Sequence, residues 1–300
     1  MPLLGIKCKK GNMTFKDCID CAECTPRFLT KTLQNINEKD YHQGEVITAT
    51  SLLGCMRETW IQRTQDYYAT RDQCYPAWRG TMAHTIFETT DLPNWESERR
   101  YERDLKGITI TGQLDGLCTL KVKHGIIYDI KTMKDTGLQY VAKTGPKEDH
   151  VWQASIYRWL VPVEITGAVI TYLGMGNFVV TGATNDLITY LKNKPSKSEK
   201  FHISNVVETG KVNVRTQKEF IVSYDTPPVV LKSIKETEEF MYPRALTLVD
   251  SFKNNTPPPK CDDEMQAWKC DKWCPVRHIC DEIETNRRNK CTKKKTDKVK

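Results

Sequence analysis

Between Ile108 and Lys134 the chain carries two β-rich runs separated by Lys123-His124-Gly125. Such runs around a turn signal predict an antiparallel hairpin. Side chains on a strand alternate between faces, so Asp129 and Lys131 project together while Ile130 points the other way, into the core. Closing the hairpin returns that pair to Asp115, which lies in Gly112-Gln113-Leu114-Asp115-Gly116. Two carboxylates then converge beside one ammonium. Like charges at that distance are costly unless a cation joins them, and hard carboxylate oxygens suit Mg²⁺ or Mn²⁺. The lysine adds positive charge where a phosphoryl transition state gathers negative charge. The pattern predicts metal-dependent phosphodiester hydrolysis.

Composition narrows the class. At 39% hydrophobic and 28% charged over 300 residues, the chain is expected to be a globular protein with a sizeable core. No apolar run approaches the ~20 residues of a bilayer span. The N-terminal Pro-Leu-Leu-Gly-Ile is too short for a signal-peptide core. A cytoplasmic location, in a bacterium or a phage-infected cell, and no membrane partner are expected. The net charge of +7 is concentrated at one end: residues 287–300 hold Arg287, Arg288, Lys290, Lys293, Lys294, Lys295, Lys298 and Lys300 against Asp297 alone. The rest of the chain is formally neutral. A flexible basic tail of this kind attracts nucleic acid without reading its sequence, the plainer alternative being a solvated tail that aids solubility.

Twelve cysteines are many for a chain with no secretory signal, so metal ligation explains them better than disulfides. Cys8, Cys18, Cys21 and Cys24 crowd a lead-in over residues 1–45. All four thiols are in reach of one tetrahedral Zn²⁺, and the spacing equally allows two or three ligands with a bystander. Cys55, Cys270, Cys274 and Cys280 form a second, dispersed set. Cys74, Cys118 and Cys291 read as ordinary thiols, with Cys118 buried in a strand.

The remaining organisation follows periodicity and punctuation. Residues 48–70 are expected as one helix, capped near Thr48, Thr50 or Ser51. Pro76 is expected to interrupt before a second helix from Gly80 to Glu88. Strands follow over about 97–134, a helix over 148–161, and one or two strands over 165–181. Residues 184–217 read as a polar insertion or mobile loop. A short strand at Phe220–Tyr224 and a helix over 228–252 complete a core spanning 46–255. Pro257-Pro258-Pro259 separates it from a cysteine segment over 256–286. No GxxxxGK[ST] is present, so any unwinding motor belongs to another protein.

The order His84, Asp115, Asp129-Ile-Lys131, Gln153-x-x-x-Tyr157 resembles the RecB-like branch of the PD-(D/E)XK nucleases. Cys55, Cys270, Cys274 and Cys280 resemble its iron–sulfur subgroup, which includes AddB-type nuclease domains and the small CRISPR-associated exonucleases. The resemblance covers about residues 48–285. It implies an α/β fold with a restriction-endonuclease-like core, a mixed central sheet flanked by helices. It implies that His84, Asp115, Asp129 and the Ile130 carbonyl bind the catalytic ion. Lys131 would orient the attacking water, and Gln153 and Tyr157 would steady the lysine and the DNA backbone. A [4Fe–4S] cluster on the four cysteines would join the two ends of the core. The Cys270-x3-Cys274 spacing exceeds the family's C-x2-C by one residue, which makes Cys261 the alternative to Cys270.

The function expected is therefore an exonuclease acting on DNA ends or single strands in phage or bacterial replication, recombination or repair, working with a separate helicase or recombination partner. Three alternatives accompany it: a nuclease trimming spacers for CRISPR adaptation, a non-catalytic DNA-end-binding module, and a zinc scaffold.

Overall fold

The computed structural model describes residues 3–21, 27–39, 46–89, 92–119, 124–133, 135–174, 178–180, 202–208, 218–261 and 267–296. The chain divides into two compact units. One comprises Met1–Thr81, Asp104–Thr109 and Phe240–Lys300; the other comprises Met82–Arg103 and Ile110–Glu239. Both are discontinuous in sequence.

In the first unit, β1 (Leu3–Cys8) and β2 (Gly11–Thr14) form a hairpin, followed by α1 (Phe15–Cys21) and α2 (Arg27–Lys39). Ile6, Phe15, Leu33, Ala69 and Cys74 form its local core. The single helix expected over 48–70 is instead four elements: β3 (Ile47–Thr48), α3 (Ala49–Leu53), α4 (Met56–Thr64) and β4 (Tyr67–Thr70). Thr48 and Ser51 form a reciprocal capping box on α3, and Gly54-Cys55 breaks the helix before α4. The aromatic and β-branched run Tyr67-Tyr-Ala-Thr70 suits a strand. β4 pairs in parallel with β1, so the β1–β2 hairpin of the cysteine-rich lead-in shares a sheet with β4.

The chain continues through α5 (Arg71–Glu88), which runs through Pro76 instead of stopping there. The second unit is built on β5 (Trp95–Leu105), β6 (Ile108–Thr119), β7 (His124–Met133), α6 (Asp135–Thr144), α7 (Glu148–Leu160), β8 (Glu164–Gly174), β9 (Phe178–Val180), β10 (His202–Glu208) and β11 (Lys218–Asp225). Its sheet runs β10-β11-β8-β7-β6, with β5 pairing with β6 and β9 with β11. It is mixed: β6 and β7 are antiparallel, β7 and β8 parallel, and β8 and β11 antiparallel. The parallel pair requires a crossover, which α6 and α7 supply. α7 packs on β7 and β8, and Ile156, Trp159 and Leu160 are among its buried residues. The fold is therefore mixed α/β with helices on its sheets. β10 lies within the stretch expected as a polar loop; residues 181–201 and 209–217 are outside the described set.

The last helices return to the first unit. α8 (Ile234–Lys253) begins later than the expected 228, because Ser233 and Glu236 exchange capping hydrogen bonds and the preceding Pro227-Pro228-Val-Val favours extended backbone. α9 (Ala267–Lys272) and α10 (Arg277–Thr296) follow. Residues 287–296, expected as a flexible tail, continue α10; residues 297–300 lie outside the described set. Among the described residues no helix is long and apolar enough to cross a membrane.

Candidate active site

The β6–β7 hairpin forms as expected, with Gly116 opposite Tyr128. This register brings Asp115 to the neighbouring strand, where its Oδ2 accepts a 2.6 Å hydrogen bond from the Ile130 N–H. Asp129 is fully buried, and its Oδ1 receives Lys131 Nζ at 2.6 Å. The other oxygen, Oδ2, is buried without a hydrogen-bond partner. A carboxylate oxygen left dry and unpaired is costly, and a cation would remove that cost.

His84, near the end of α5, closes the other side. Its Nδ1 lies 2.8 Å from Glu98 Oε1 and 3.4 Å from Asp115 Oδ1. Donor atoms of His84, Glu98 and Asp115 all fall within 4.8 Å of one another. Glu98 was not among the residues singled out from the sequence. It sits in a charged strand, Glu96-Ser-Glu98-Arg-Arg, whose alternation does not mark one acid above the other. Its backbone is left-handed, with φ +51°, a conformation that costs a non-glycine residue free energy and signals a constrained position. Gln113 Nε2 donates to Glu98 Oε2 at 2.8 Å, and Arg100 donates to Gln113 Oε1 at 3.0 Å, so this carboxylate is held from behind.

The electrostatics agree with a crowded acidic site. Burial, reinforced by Asp129, pushes the Asp115 carboxyl up to about 7; Lys131, His84 and the Ile130 N–H oppose this. Burial would lower the Lys131 ammonium, but Asp129 and Asp115 outweigh it and the net shift is upward. The hydrogen bond to Glu98 raises His84 despite its desolvation.

Gln153 and Tyr157 lie on one face of α7, and Gln153 Nε2 donates to Tyr157 Oη at 2.7 Å. Burial first, then Asp129 and Asp115, drive the Tyr157 phenol well above its ordinary value. Two glycines beside Asp115 admit its neighbours. A Cβ on Gly112 would lie 2.9 Å from the Tyr157 ring, and one on Gly116 would lie 2.3 Å from Trp95.

The dispersed cysteines gather within the first unit. Cys55 caps α4, Cys270 is on α9, Cys274 follows it and Cys280 is on α10. The Cys261 thiol lies close enough to those of Cys55 and Cys270 to interact with both. Burial, then Glu58 and the thiols of Cys270 and Cys55, push Cys274 up to about 12, against the Val276 N–H. Cys280 Sγ receives Arg57 Nη1 at 3.8 Å. Arg57 is buried, donates to Pro258 O and Glu284 Oε1, and keeps Nη2 unpaired. Trp60, Ile61 and Val276 wall the thiols in, with Cys274 and Cys280 packed against them. Cys261, the alternative to Cys270, thus lies beside both Cys55 and Cys270.

The N-terminal thiols sit on β1 and α1. Lys10 donates its backbone N–H to Cys8 and its amine to Cys21, while Cys18 packs against the local core. Among the described residues, neither these three nor any three of Cys55, Cys261, Cys270, Cys274 and Cys280 come within the mutual distance that joins His84, Glu98 and Asp115. Cys24 lies outside the described residues, and the side chains of Arg288, Lys290, Lys293, Lys294 and Lys295 are likewise not described.

No family model matches the chain, and no curated protein matches it. A solved structure titled "Crystal structure of SSO0001" aligns over 84% of this chain and 93% of its own, at 17% identity and a TM-score of 0.44. A likeness that distant carries no function.

Proposed function

We propose that this protein is a metal-dependent deoxyribonuclease of the RecB-like PD-(D/E)XK type, acting on DNA ends or single strands. The observation that carries the reading is the convergence of Asp115, Asp129 and Lys131 on adjacent strands, with His84 and Glu98 completing the donor set. The unpaired Asp129 Oδ2 and the acid-rich surroundings fit a hard divalent cation. His84, Glu98, Asp115 and Asp129 would hold Mg²⁺ or Mn²⁺, with the Ile130 carbonyl as a further oxygen ligand. When bound, such an ion polarises a phosphoryl oxygen and makes a water nucleophile available near neutral pH. Lys131, anchored on Asp129, orients the attacking water and offsets the charge that develops on the phosphate. Tyr157 and Gln153 back this site from α7.

The thiols of Cys55, Cys270, Cys274 and Cys280, joined by Cys261, suit a [4Fe–4S] cluster. Their donor chemistry fits soft iron–sulfur ligation, and the buried guanidinium of Arg57 donates to the Cys280 sulfur. Zinc is the competing occupant of thiolate sites, here and at Cys8, Cys18, Cys21 and Cys24.

Anaerobically purified protein is to be incubated with end-labelled oligonucleotides and Mn²⁺, and the products mapped. Cleavage that Asp115→Ala, Asp129→Ala and Lys131→Ala each reduce by ~10²-fold or more supports the reading. DNA binding with no turnover would instead support an end-holding module, and near wild-type turnover in any variant would sink the site assignment.

A further inference from the structure

α7 carries a third polar group on the face that bears Gln153 and Tyr157. His150, Gln153 and Tyr157 are spaced i, i+3 and i+7, and so form one stripe. The His150 ring is largely buried, at 14% side-chain exposure. Its Nδ1 lies 2.8 Å from the Tyr172 hydroxyl, and the two rings are 5.5 Å apart. Tyr172 is fully buried on β8, in direct parallel register with Lys131 on β7. Paired residues of adjacent strands share a face of the sheet, so Tyr172 places His150 beside the lysine. The mutual electrostatic influence of His150, Lys131 and Asp129 agrees with this placement.

We propose, resting on the nuclease reading above, that His150 is a phosphate-binding residue of the site, donating an Nε2–H hydrogen bond to a DNA backbone oxygen. The hydroxyl of Tyr172 already accepts the Lys147 backbone N–H at 3.3 Å. In this proposal its own proton goes to His150 Nδ1, which leaves the ring proton on Nε2. Burial, aided by Lys131 and Lys147 against the pull of Asp149 and Asp129, holds the imidazole down to about 4, so the ring is neutral near pH 7. A neutral ring donates a hydrogen bond without adding a competing cation to the acidic centre. The acceptor facing Nε2 in the free protein is Asp149 Oδ1 at 3.8 Å, too far for a good hydrogen bond and largely exposed. A phosphate oxygen would take the Nε2–H in place of that long contact, while Asp149 Oδ1 keeps the His150 backbone N–H at 3.0 Å. Tyr172 is a positioning residue, acting through the tautomer it imposes.

The test uses the full chain with a fluorescent single-stranded oligonucleotide, in Ca²⁺ for binding and in Mn²⁺ for turnover. His150→Phe keeps a ring and removes the donor; His150→Gln places an amide N–H close to the Nε2 position. His150→Phe is expected to weaken binding and raise KM by at least about tenfold, the value of a hydrogen bond to a charged acceptor. The change in kcat is expected to stay within about threefold, because the contact is made to ground and transition states alike. His150→Gln is expected to recover most of the loss. Nitrogen-15 NMR of labelled histidine should show the Nε2–H tautomer, lost in Tyr172→Phe. Wild-type affinity and KM in His150→Phe, or an Nδ1–H tautomer, would overturn the inference and leave the nuclease reading standing. Wild-type protein that neither binds nor cleaves DNA would remove both.

Discussion

Asp115 carries the tightest link between charge and fold. Its carboxyl rises from 3.8 to about 7, first through burial and then through Asp129. A folded value above the unfolded one means that the metal-free fold favours the protonated acid. That contribution to stability is complete below about pH 4 and is lost as pH rises through about 7. A divalent cation reverses the preference by favouring the carboxylate. The melting temperature of metal-free protein should therefore fall between about pH 5 and about pH 8 by more than that of Asp115→Asn. Mg²⁺ should restore the wild type at the higher pH and leave the variant nearly unmoved. Scanning calorimetry of both proteins at both pH values, with and without Mg²⁺, decides this; identical profiles for the two would show that Asp115 is not the linked group. The placement of Asp115, Asp129 and Lys131 was legible because strand alternation and one turn determine it. Glu98 was not, because its reach to His84 depends on a left-handed residue inside a strand, and no period encodes that.

The elements around the site are packed through glycine, which makes their tolerance testable. Trp95 of β5 covers Gly116 and meets Tyr128 at a 5.1 Å ring separation. A Cβ on Gly116 would stand 2.3 Å from a rigid indole, so Gly116→Ala should cost about 1–3 kcal/mol through overpacking. Gly80 in α5 is the contrast, since a Cβ there meets nothing within 4 Å. Gly80→Ala should stabilise by about 0.5–1 kcal/mol, the backbone-entropy difference within a helix. Urea denaturation of the two variants gives the signs directly, and a neutral or stabilising Gly116→Ala would mean that Trp95 moves aside. The same locality explains which elements could be read from sequence. α7 and the hairpin have strong periods and clear ends. The 48–70 stretch has apolar residues at helical spacing throughout, but Gly54-Cys55 and the Tyr67–Thr70 strand are set by neighbours far along the chain. Arg244, for instance, donates to the carbonyls of Leu52 and Gly54.

At the scale of the whole molecule, the first unit is assembled from three stretches, and the second unit lies between them in sequence. Cys55 precedes that insertion and Cys270, Cys274 and Cys280 follow it, so the proposed cluster would cross-link the two ends of a very long loop. Long-range closure of this kind leaves almost no local sequence trace, because spacing reports neighbours along the chain and not partners across it. Cys261 shows the limit: the spacing offers it only as an alternative to Cys270, and its nearness to both Cys55 and Cys270 has no trace in the local sequence. Anaerobically purified protein should be brown and hold about four iron atoms per chain. Cys55→Ser should bleach it and lower its stability by several kcal/mol, because the restraint on the unfolded chain disappears with the cluster. Cys118→Ser, in the β6 strand of the other unit, should leave colour and iron unchanged. Iron and zinc analysis beside thermal melts separates the outcomes. Zinc without iron would replace the cluster by a zinc site while leaving Asp115, Asp129 and Lys131 untouched. A colourless Cys55→Ser protein that melts with the wild type would mean that the thiols bind metal without holding the fold.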